Sequence, residues 1–210
     1  MKKKYKWTLF VTGLITLCPS LVGILLWNQL PDVIATHFGT DNVANGWSSK
    51  PFAVFGIPLI LLGLQLFCFY MVSTDTKKKN INEKMMKKVL WIIPIISCVV
   101  CLSCYGIALG MAIDILMVVD IVVGIIFTVC GYVMHGIGQN DTVGIRVPWT
   151  LKSEENWNRT HKMASWIWIV AGVLMIIDGF VKTNWLLFVA VGMAALVPIV
   201  YSYWLYKKGI

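Results

Sequence analysis

The stretch Gly144–His161, GIRVPWTLKSEENWNRTH, interrupts a chain of 210 residues that is 58% hydrophobic. Proline has no backbone N–H and pushes the preceding residue to extended geometry, so no helix is expected to run through Val147 and Pro148. Ser153 is a good helix N-cap, and two glutamates follow it where the helix dipole favours carboxylates. The sequence therefore predicts a structured loop that leads into a helix starting just after Ser153.

The composition around this loop is that of a polytopic membrane protein. Charged residues make up 13% of the chain and the mean hydropathy is +0.76, whereas soluble domains have about 25% charged residues. The net charge of +8 could suggest nucleic-acid binding. The lysines cluster between apolar runs, however, as membrane topology signals do, so we expect no direct nucleic-acid binding.

Six apolar runs approach the roughly 20 residues that cross about 30 Å of hydrocarbon. We predict an all-α polytopic bundle of six transmembrane helices forming a single membrane domain, 1–210, without a cleaved signal peptide. The third and fourth runs are separated by almost no loop, which indicates an antiparallel hairpin. The predicted spans are 7–27, 52–72, 89–113, 115–136, 163–181 and 185–206.

Basic residues give the predicted orientation. With six spans, most basic residues fall on one side of the membrane: those of the N-terminus, the linker 73–88, the segment 137–162 and the C-terminus. Only Lys50 and Lys182 fall on the other side. The positive-inside rule places both termini and the basic linker 73–88 in the cytoplasm. It places there also the segment 137–162, which contains the loop that begins at Gly144 and the start of the next helix; we call this loop the signature loop. The loop 28–51 is then extracellular.

The six cysteines all lie inside apolar runs and not in the polar loops, where a secreted disulfide framework would sit. We interpret them as small buried hydrophobic residues. Cys98, Cys101 and Cys104 have a spacing that could suggest a metal site, but such a site would need further ligands and thiolates in lipid. We therefore expect packing and no metal.

Asp120 is an intramembrane carboxylate on the fourth span, and such residues are functional candidates by default. Steps of three and four residues place further polar or small residues on the same stripe, which should face other helices: Gly124, Thr128, Gly131 and His135. A proton or cation relay is one interpretation. The other is that Asp120, one to two turns from the outer surface, bonds a neighbouring helix or reaches water. The sequence leaves both open.

Two further features of the spans have structural interpretations. Gly106 and Gly110 form a GxxxG pair, which predicts close approach of another helix. Asp178 ends the fifth span and is expected to mark the membrane interface.

The extracellular loop combines His37 with Asp32 and Asp41, which are suitable metal ligands, but one histidine with scattered carboxylates is weak evidence. We favour a folded loop of one or two small elements that holds Trp47 and Phe38 at the membrane edge. The candidate binding residues of this loop are Pro31, His37, Gly39, Trp47 and Lys50.

The chain shows no nucleophile with a base, no glycine-rich phosphate loop and no paired catalytic carboxylates. We therefore predict that it is not an enzyme, has no catalytic residues and needs no cofactor. Arg146, Trp149 and Trp157 could belong to an ordinary interfacial belt. Pro148 between them, followed by a capped helix, instead favours a loop that holds a defined conformation.

The GIRVPWTLKSEENWNRTH stretch resembles the signature of the SdpI family of bacterial multi-pass membrane immunity proteins (SdpI/YfhL-like). LPDVIATHFG at 30–39 and WSSK at 47–50 are similar to the outer-loop motif of many members. The resemblance covers essentially the whole chain. Val147 is a departure, because threonine is common there.

This resemblance implies a protein of the bacterial cytoplasmic membrane that gives resistance to a secreted toxin peptide of the SDP type. The toxin would meet the extracellular loop and outer helix ends. The family also implies a receptor role, in which an ArsR-type autorepressor is held at the cytoplasmic side of the lipid bilayer. The residues implied there are Gly144, Arg146, Pro148, Trp149, Thr150, Trp157 and His161. The alternative function is a small-solute or proton-coupled transporter that uses Asp120.

Overall fold

The structure is a computed structural model that describes residues 2–77, 83–183 and 185–210. The helices are α1 (Lys2–Leu25), α2 (Ile57–Thr74), α3 (Glu83–Val89), α4 (Ile92–Ala108), α5 (Ile115–Met134), α6 (Pro148–Lys152), α7 (Glu154–Val181) and α8 (Leu186–Lys207). Two strands, β1 (Val33–Phe38) and β2 (Ala44–Ser49), lie between α1 and α2, and a π-helical turn, Phe52–Gly56, leads into α2. The predicted linker lysines Lys78 and Lys79 lie outside the described residues.

Within the described residues, six helices are long and apolar enough to cross a membrane, which confirms the predicted all-α, six-span class. Some boundaries differ. The third span ends at Ala108, and residues 109–114 form a turn before α5 begins at Ile115. The fifth helix begins at Glu154, just after the predicted Ser153 cap, and continues into the apolar run predicted as the fifth span, 163–181.

The described residues divide into two compact units. One comprises residues up to 70 together with 87–118, and the other comprises 71–86 together with 119–210. The first unit contains the strands, α1 and α4. The second contains the loop that includes Gly144, with α6, α7 and α8.

The core of the first unit lies beneath the strands. Ile34 of β1 is fully buried and packs in a cluster with Val54, Cys101 and Tyr105. Cys101 and Cys104 are buried as predicted, whereas Cys18 and Cys68 are exposed on their helices. The prediction of burial is therefore wrong for these two residues, because an apolar run does not specify which helix face meets protein and which meets lipid.

A buried polar network joins α1, α2 and α4 in the same unit. Gln65 Nε2 donates to Thr12 Oγ1 at 2.7 Å, and Gln65 Oε1 accepts from Thr16 Oγ1 at 2.7 Å. Ser97 Oγ donates to the Thr16 carbonyl at 2.8 Å. Polar side chains inside spans pair across helices in this way because lipid offers no partners. This network fixes the register of the three helices.

In the second unit, the predicted small-residue stripe of α5 faces α7. A Cβ added at Gly124 would lie 2.6 Å from the Gly172 carbonyl oxygen, and one at Gly131 would lie 2.8 Å from the Ser165 carbonyl oxygen. Glycine at these positions allows the two backbones to approach closely. The expectation that this stripe faces another helix is confirmed for Gly124, Thr128 and Gly131, whereas it is wrong for His135, which is exposed beyond the end of α5.

The GxxxG interpretation is wrong. Gly110 follows the end of α4, with φ +85 and no atom within 4 Å of an added Cβ, while Gly106 faces Met111 and Ile113 of its own turn. The pair therefore shapes the α4–α5 turn and is not a helix-packing face. The positive φ of Gly110 explains the residue type there.

Asp178 has a structural role that its position alone did not indicate. Its carboxylate accepts hydrogen bonds from the Thr183 backbone N–H at 3.1 Å and the Leu187 N–H at 3.0 Å, and from the Thr183 hydroxyl. Asp178 is fully buried. It caps the start of α8 from the end of α7, so it fixes the α7–α8 connection.

Candidate functional site: the signature loop and the outer hairpin

The loop at 144–153 has the conformation that its proline and serine predict. Val147 is extended (φ −106, ψ 157), and Pro148 occupies the first turn of α6. Ser153 is also extended, and its hydroxyl accepts from the Asn156 N–H at 3.2 Å to cap α7. The extended segment and the helix start are confirmed. The short helix α6 was missed, although proline at a first helical position is a known start signal.

Thr150 holds the bend before α6. Its buried hydroxyl lies 2.7 Å from the Ile145 carbonyl oxygen and 3.0 Å from that of Val147. It also accepts from the Val147 N–H at 3.1 Å. One hydroxyl thus satisfies backbone groups that the turn would otherwise leave unpaired.

His161 and Trp157 form the floor of the loop. The Ile145 N–H donates to His161 Nε2 at 2.9 Å, so this nitrogen carries no proton, and Nδ1 donates to the Trp157 carbonyl oxygen at 2.8 Å. The two rings stack with centroids 4.0 Å apart. Trp157 Nε1 donates to the Ile137 carbonyl at 2.8 Å. Both side chains are buried and act as internal supports.

Gly144 crosses directly over this floor. Its φ is +115, and an added Cβ would collide with His161 Nε2 and lie 3.2 Å from Trp157 Cη2. Only glycine fits this position, because any other residue would be strained at this backbone φ and its Cβ would have no space. Gly144 therefore determines how closely the loop approaches the α7 side chains.

Trp149 joins α6 to the end of α8. Its Nε1 donates to Ser202 Oγ at 2.8 Å, and its ring stacks on Tyr206 with centroids 5.9 Å apart. The side-chain Nδ2 of Asn156, at the start of α7, donates to the main-chain oxygens of Ser202 and Ile210 at 3.0 and 3.1 Å. Residues far apart in the chain thus hold α6, α7 and α8 together.

A clamp that the sequence did not reveal precedes the loop. The buried Asp75 carboxylate accepts from the Lys77 N–H at 2.7 Å, the Asp141 N–H at 3.0 Å and the Thr142 hydroxyl. Lys77 also pairs with Asp141 at 3.7 Å. The clamp fixes the start of the basic linker against residues 139–142. Asp75 had no visible signal, since it resembles any polar residue that ends a span.

The accessible part of the loop comprises Gly144, Arg146, Pro148 and Lys152. Arg146 and Pro148 are exposed, and Arg146 Nη1 lies 3.5 Å from the Thr142 carbonyl oxygen. Thr150, Trp157 and His161 are buried. Of the residues implied for repressor docking, Gly144, Arg146, Pro148 and part of Trp149 thus have exposed surface, while Thr150, Trp157 and His161 hold the loop in place.

The candidate residues of the loop predicted to be extracellular lie on an antiparallel hairpin of β1 and β2, the outer hairpin. Ala35 pairs with Trp47 and Ile34 with Ser48, so alternate side chains face the core and the outside. Ile34 is buried, whereas Trp47 is 59% exposed and Val33 56% exposed. The predicted folded loop is confirmed, and it presents a partly apolar outer face on the side of the chain predicted to be extracellular.

Lys50 anchors the hairpin base. Its Nζ pairs with Asp32 Oδ1 at 3.1 Å, donates to the Trp27 carbonyl at 3.2 Å and lies 5.3 Å from the Trp27 ring centroid. His37 instead contacts Asn45, with Nδ1 and Oδ1 2.5 Å apart. Within the part of the chain that the structure describes, no group of three or more His, Cys, Asp or Glu side chains could hold a metal ion.

The hairpin turn begins at Gly39 and follows Pro31 by one short strand. The Gly39 N–H donates to the Val43 carbonyl at 2.8 Å, and a Cβ on Gly39 would lie 2.6 Å from Asp41 Oδ1. Pro31 is exposed just before β1. These two residues therefore delimit the hairpin, and its outer face is left to side chains such as Trp47.

The intramembrane candidates do not come together. Asp120 is buried on α5, but His135 lies exposed beyond the end of α5, with its ring edge-on to Trp166 at 6.4 Å. Fifteen residues of helix would separate them by about 22 Å. A proton relay between Asp120 and His135 would need other groups in between.

Two different family models match the chain, one in each half. The model of the SdpI/YfhL protein family matches residues 136–202, and that of a domain of unknown function (DUF1648) matches residues 14–62. The first match contains the loop with Gly144 and the second contains the outer hairpin. No solved structure matches the chain.

A curated relative extends the similarity over nearly the full length. The immunity protein SdpI of Bacillus subtilis (strain 168) is 29% identical over 207 residues, which cover 94% of this chain and 96% of the relative. That relative is an immunity protein and not a known enzyme. With its six apolar spans, this chain is a multi-pass protein of the cell membrane. The SdpI/YfhL family model thus matches the part of the chain that contains the loop signature, and the similarity to an immunity protein extends over nearly the full length.

Proposed function

We propose that this protein gives resistance to a secreted toxin peptide of the SDP type, with the outer hairpin as the surface that meets the peptide. The observation that carries the proposal is the 29% identity to an immunity protein over 94% of the chain. The hairpin supports it physically, since Trp47 and Val33 leave apolar surface exposed. Exposed aromatic residues contribute strongly to binding surfaces.

The test is a toxin challenge of cells that lack the gene and carry it back on a plasmid. Wild-type protein should restore survival. If the Trp47 ring is a binding hot spot, cells that carry Trp47→Ala should survive the toxin about tenfold less well than cells that carry the wild type. Trp7→Ala is the matched control, because Trp7 is also an exposed tryptophan but lies on α1. Equal sensitivity with and without the wild-type gene, across SDP-type peptides, would overturn the immunity function.

We further propose that the surface of the signature loop is a docking point for an ArsR-type autorepressor on the cytoplasmic side. Arg146 and Pro148 supply exposed surface, and Thr150, Trp157 and His161 hold the backbone beneath them. A rigid, partly basic surface of this kind loses little conformational entropy on binding.

Co-purification with a repressor encoded beside the gene would test this docking. Arg146→Ala should reduce the captured repressor several-fold at unchanged membrane-protein yield. Lys152→Ala, which removes another exposed cation from the same loop, should not. The same reduction in both variants would show a general charge effect and contradict a specific role for Arg146.

A proton-coupled transporter is the second candidate, and the buried Asp120 carboxylate favours it. Asp120→Asn keeps the size of the side chain but cannot carry a proton at neutral pH. Loss of protection in the toxin challenge, with the variant expressed at the normal level, would support proton coupling. Full activity of the variant would exclude a proton path through Asp120.

A further inference from the structure

The tip of the outer hairpin contacts a helix far away in sequence. Asn42 lies in the turn between β1 and β2 and has a left-handed backbone conformation with φ +62. Its side-chain Oδ1 accepts hydrogen bonds from the backbone N–H groups of Ile115 at 3.0 Å and Leu116 at 3.4 Å. These are the first two residues of α5. The hairpin therefore supplies a capping acceptor to the start of a helix that begins more than 70 residues later.

The first turn of α5 needs this contribution. The opening N–H groups of a helix have no partner within it. Asp114 serves the next two, since its Oδ1 accepts from Met117 at 3.2 Å and its carbonyl accepts from Val118 at 3.1 Å. The N–H groups of Ile115 and Leu116 bond the Asn42 carboxamide instead, and Ile115 is buried. Moving the hairpin tip away would leave two helix donors without this acceptor.

The turn itself is built to aim the carboxamide. Asn42 N–H donates to the Gly39 carbonyl at 3.1 Å, and Val43 N–H donates to Asp41 Oδ1 at 3.1 Å. Asparagine is one of the few residues other than glycine that tolerate a left-handed backbone. Asn42 therefore combines a turn conformation that most residues avoid with a side-chain oxygen at the helix end.

We propose that the hairpin tip is a detachable cap on α5, which converts a displacement of the outer hairpin into opening of the first helical turn. A partner that binds the exposed hairpin face and shifts the tip withdraws the Asn42 oxygen from Ile115 and Leu116. The inference rests on the proposed function only for the identity of that partner. The cap itself is a property of this chain alone.

Amide hydrogen exchange of the purified full-length protein in lipid nanodiscs tests the cap without any partner. Asn42→Gly keeps the left-handed turn but removes the acceptor, and should speed exchange in residues 115–118 by roughly fivefold, as loss of a helix cap predicts. Asn42→Asp restores an acceptor oxygen and should retain slow exchange. Thr40→Ala, at an exposed neighbouring position, is the control. Wild-type exchange in Asn42→Gly would overturn the inference.

A second measurement separates this inference from the proposed function. An SDP-type peptide added to the wild-type protein should speed exchange in 115–118, with no further increase in Asn42→Gly. Binding of the peptide to immobilised protein without this change would refute the detachable cap and leave the immunity function standing. Faster exchange in Asn42→Gly together with no peptide binding would support the cap and count against toxin recognition. If the cap had only a structural role, added peptide would not change the exchange rates of residues 115–118.

Discussion

Substitution of Gly144 by alanine tests the central claim about the signature loop. At φ +115 an alanine is strained, and its Cβ would overlap His161 Nε2 and crowd Trp157 Cη2 at 3.2 Å. Since Trp157 and His161 are both buried and stacked, neither ring can turn away freely. The loop would have to lift, and the hydrogen bond from the Ile145 N–H to His161 would break.

The cost can be estimated from these two effects. A non-glycine residue at an unfavourable φ costs about 1–3 kcal/mol. Leaving the Ile145 N–H and the buried His161 nitrogen without partners costs about 1–3 kcal/mol more. The free energy of unfolding should therefore fall by about 4 kcal/mol, which is a large part of a typical stability of about 5–15 kcal/mol.

Thermal unfolding of the purified protein in detergent measures this loss. At about 2–4 °C per kcal/mol for a chain of this size, the Tm of Gly144→Ala should fall by roughly 8–16 °C. Gly136→Ala is the matched control, since an added Cβ there meets no atom within 4 Å. A Tm for Gly144→Ala within about 2 °C of wild type would show that the loop does not rest on His161 and Trp157 as described.

Three further changes test the supports around the loop and the helix crossing. Trp157→Phe keeps an aromatic ring but leaves a buried carbonyl without the indole donor, and should lower the free energy of unfolding by about 1–3 kcal/mol in denaturant titration. Asp75→Ala removes the acceptor for two backbone N–H groups, and limited proteolysis should then cleave the basic linker faster than in wild type. Gly124→Leu cannot fit against the Gly172 carbonyl oxygen and should abolish monodisperse folding on size-exclusion chromatography. The same change at Gly192, where an added Cβ has open space, should preserve the wild-type elution profile.

Much of the local structure was predictable because it depends on single residues with strong backbone preferences. Pro148 fixed the extended conformation of Val147, and Ser153 fixed the start of α7. The side chains that hold the loop were less predictable, since Trp157 and Thr150 have their partners in the folded structure and not at a fixed sequence spacing. Thr150 is indicated as important only by the family resemblance.

The long-range polar contacts were not predictable from one sequence. A lone Gln65 in an apolar run indicates a buried hydrogen bond, but nothing in the chain names Thr12 and Thr16 as its partners. Asn42 has the appearance of an ordinary turn residue, and its role as a cap depends on where α5 begins. Such contacts depend on tertiary packing, which periodicity and propensity do not encode.

The bond between Trp149 and Ser202 also has a consequence for biosynthesis. Its two partners lie 53 residues apart in the chain. At about 5–20 residues per second, the ribosome makes Trp149 roughly 3–10 s before its acceptor exists. The last helix must therefore enter the membrane before α6 can dock, so the signature loop matures only at the end of translation. A truncation before Ser202 would release a protein whose first helices can insert but whose loop has lost its final support.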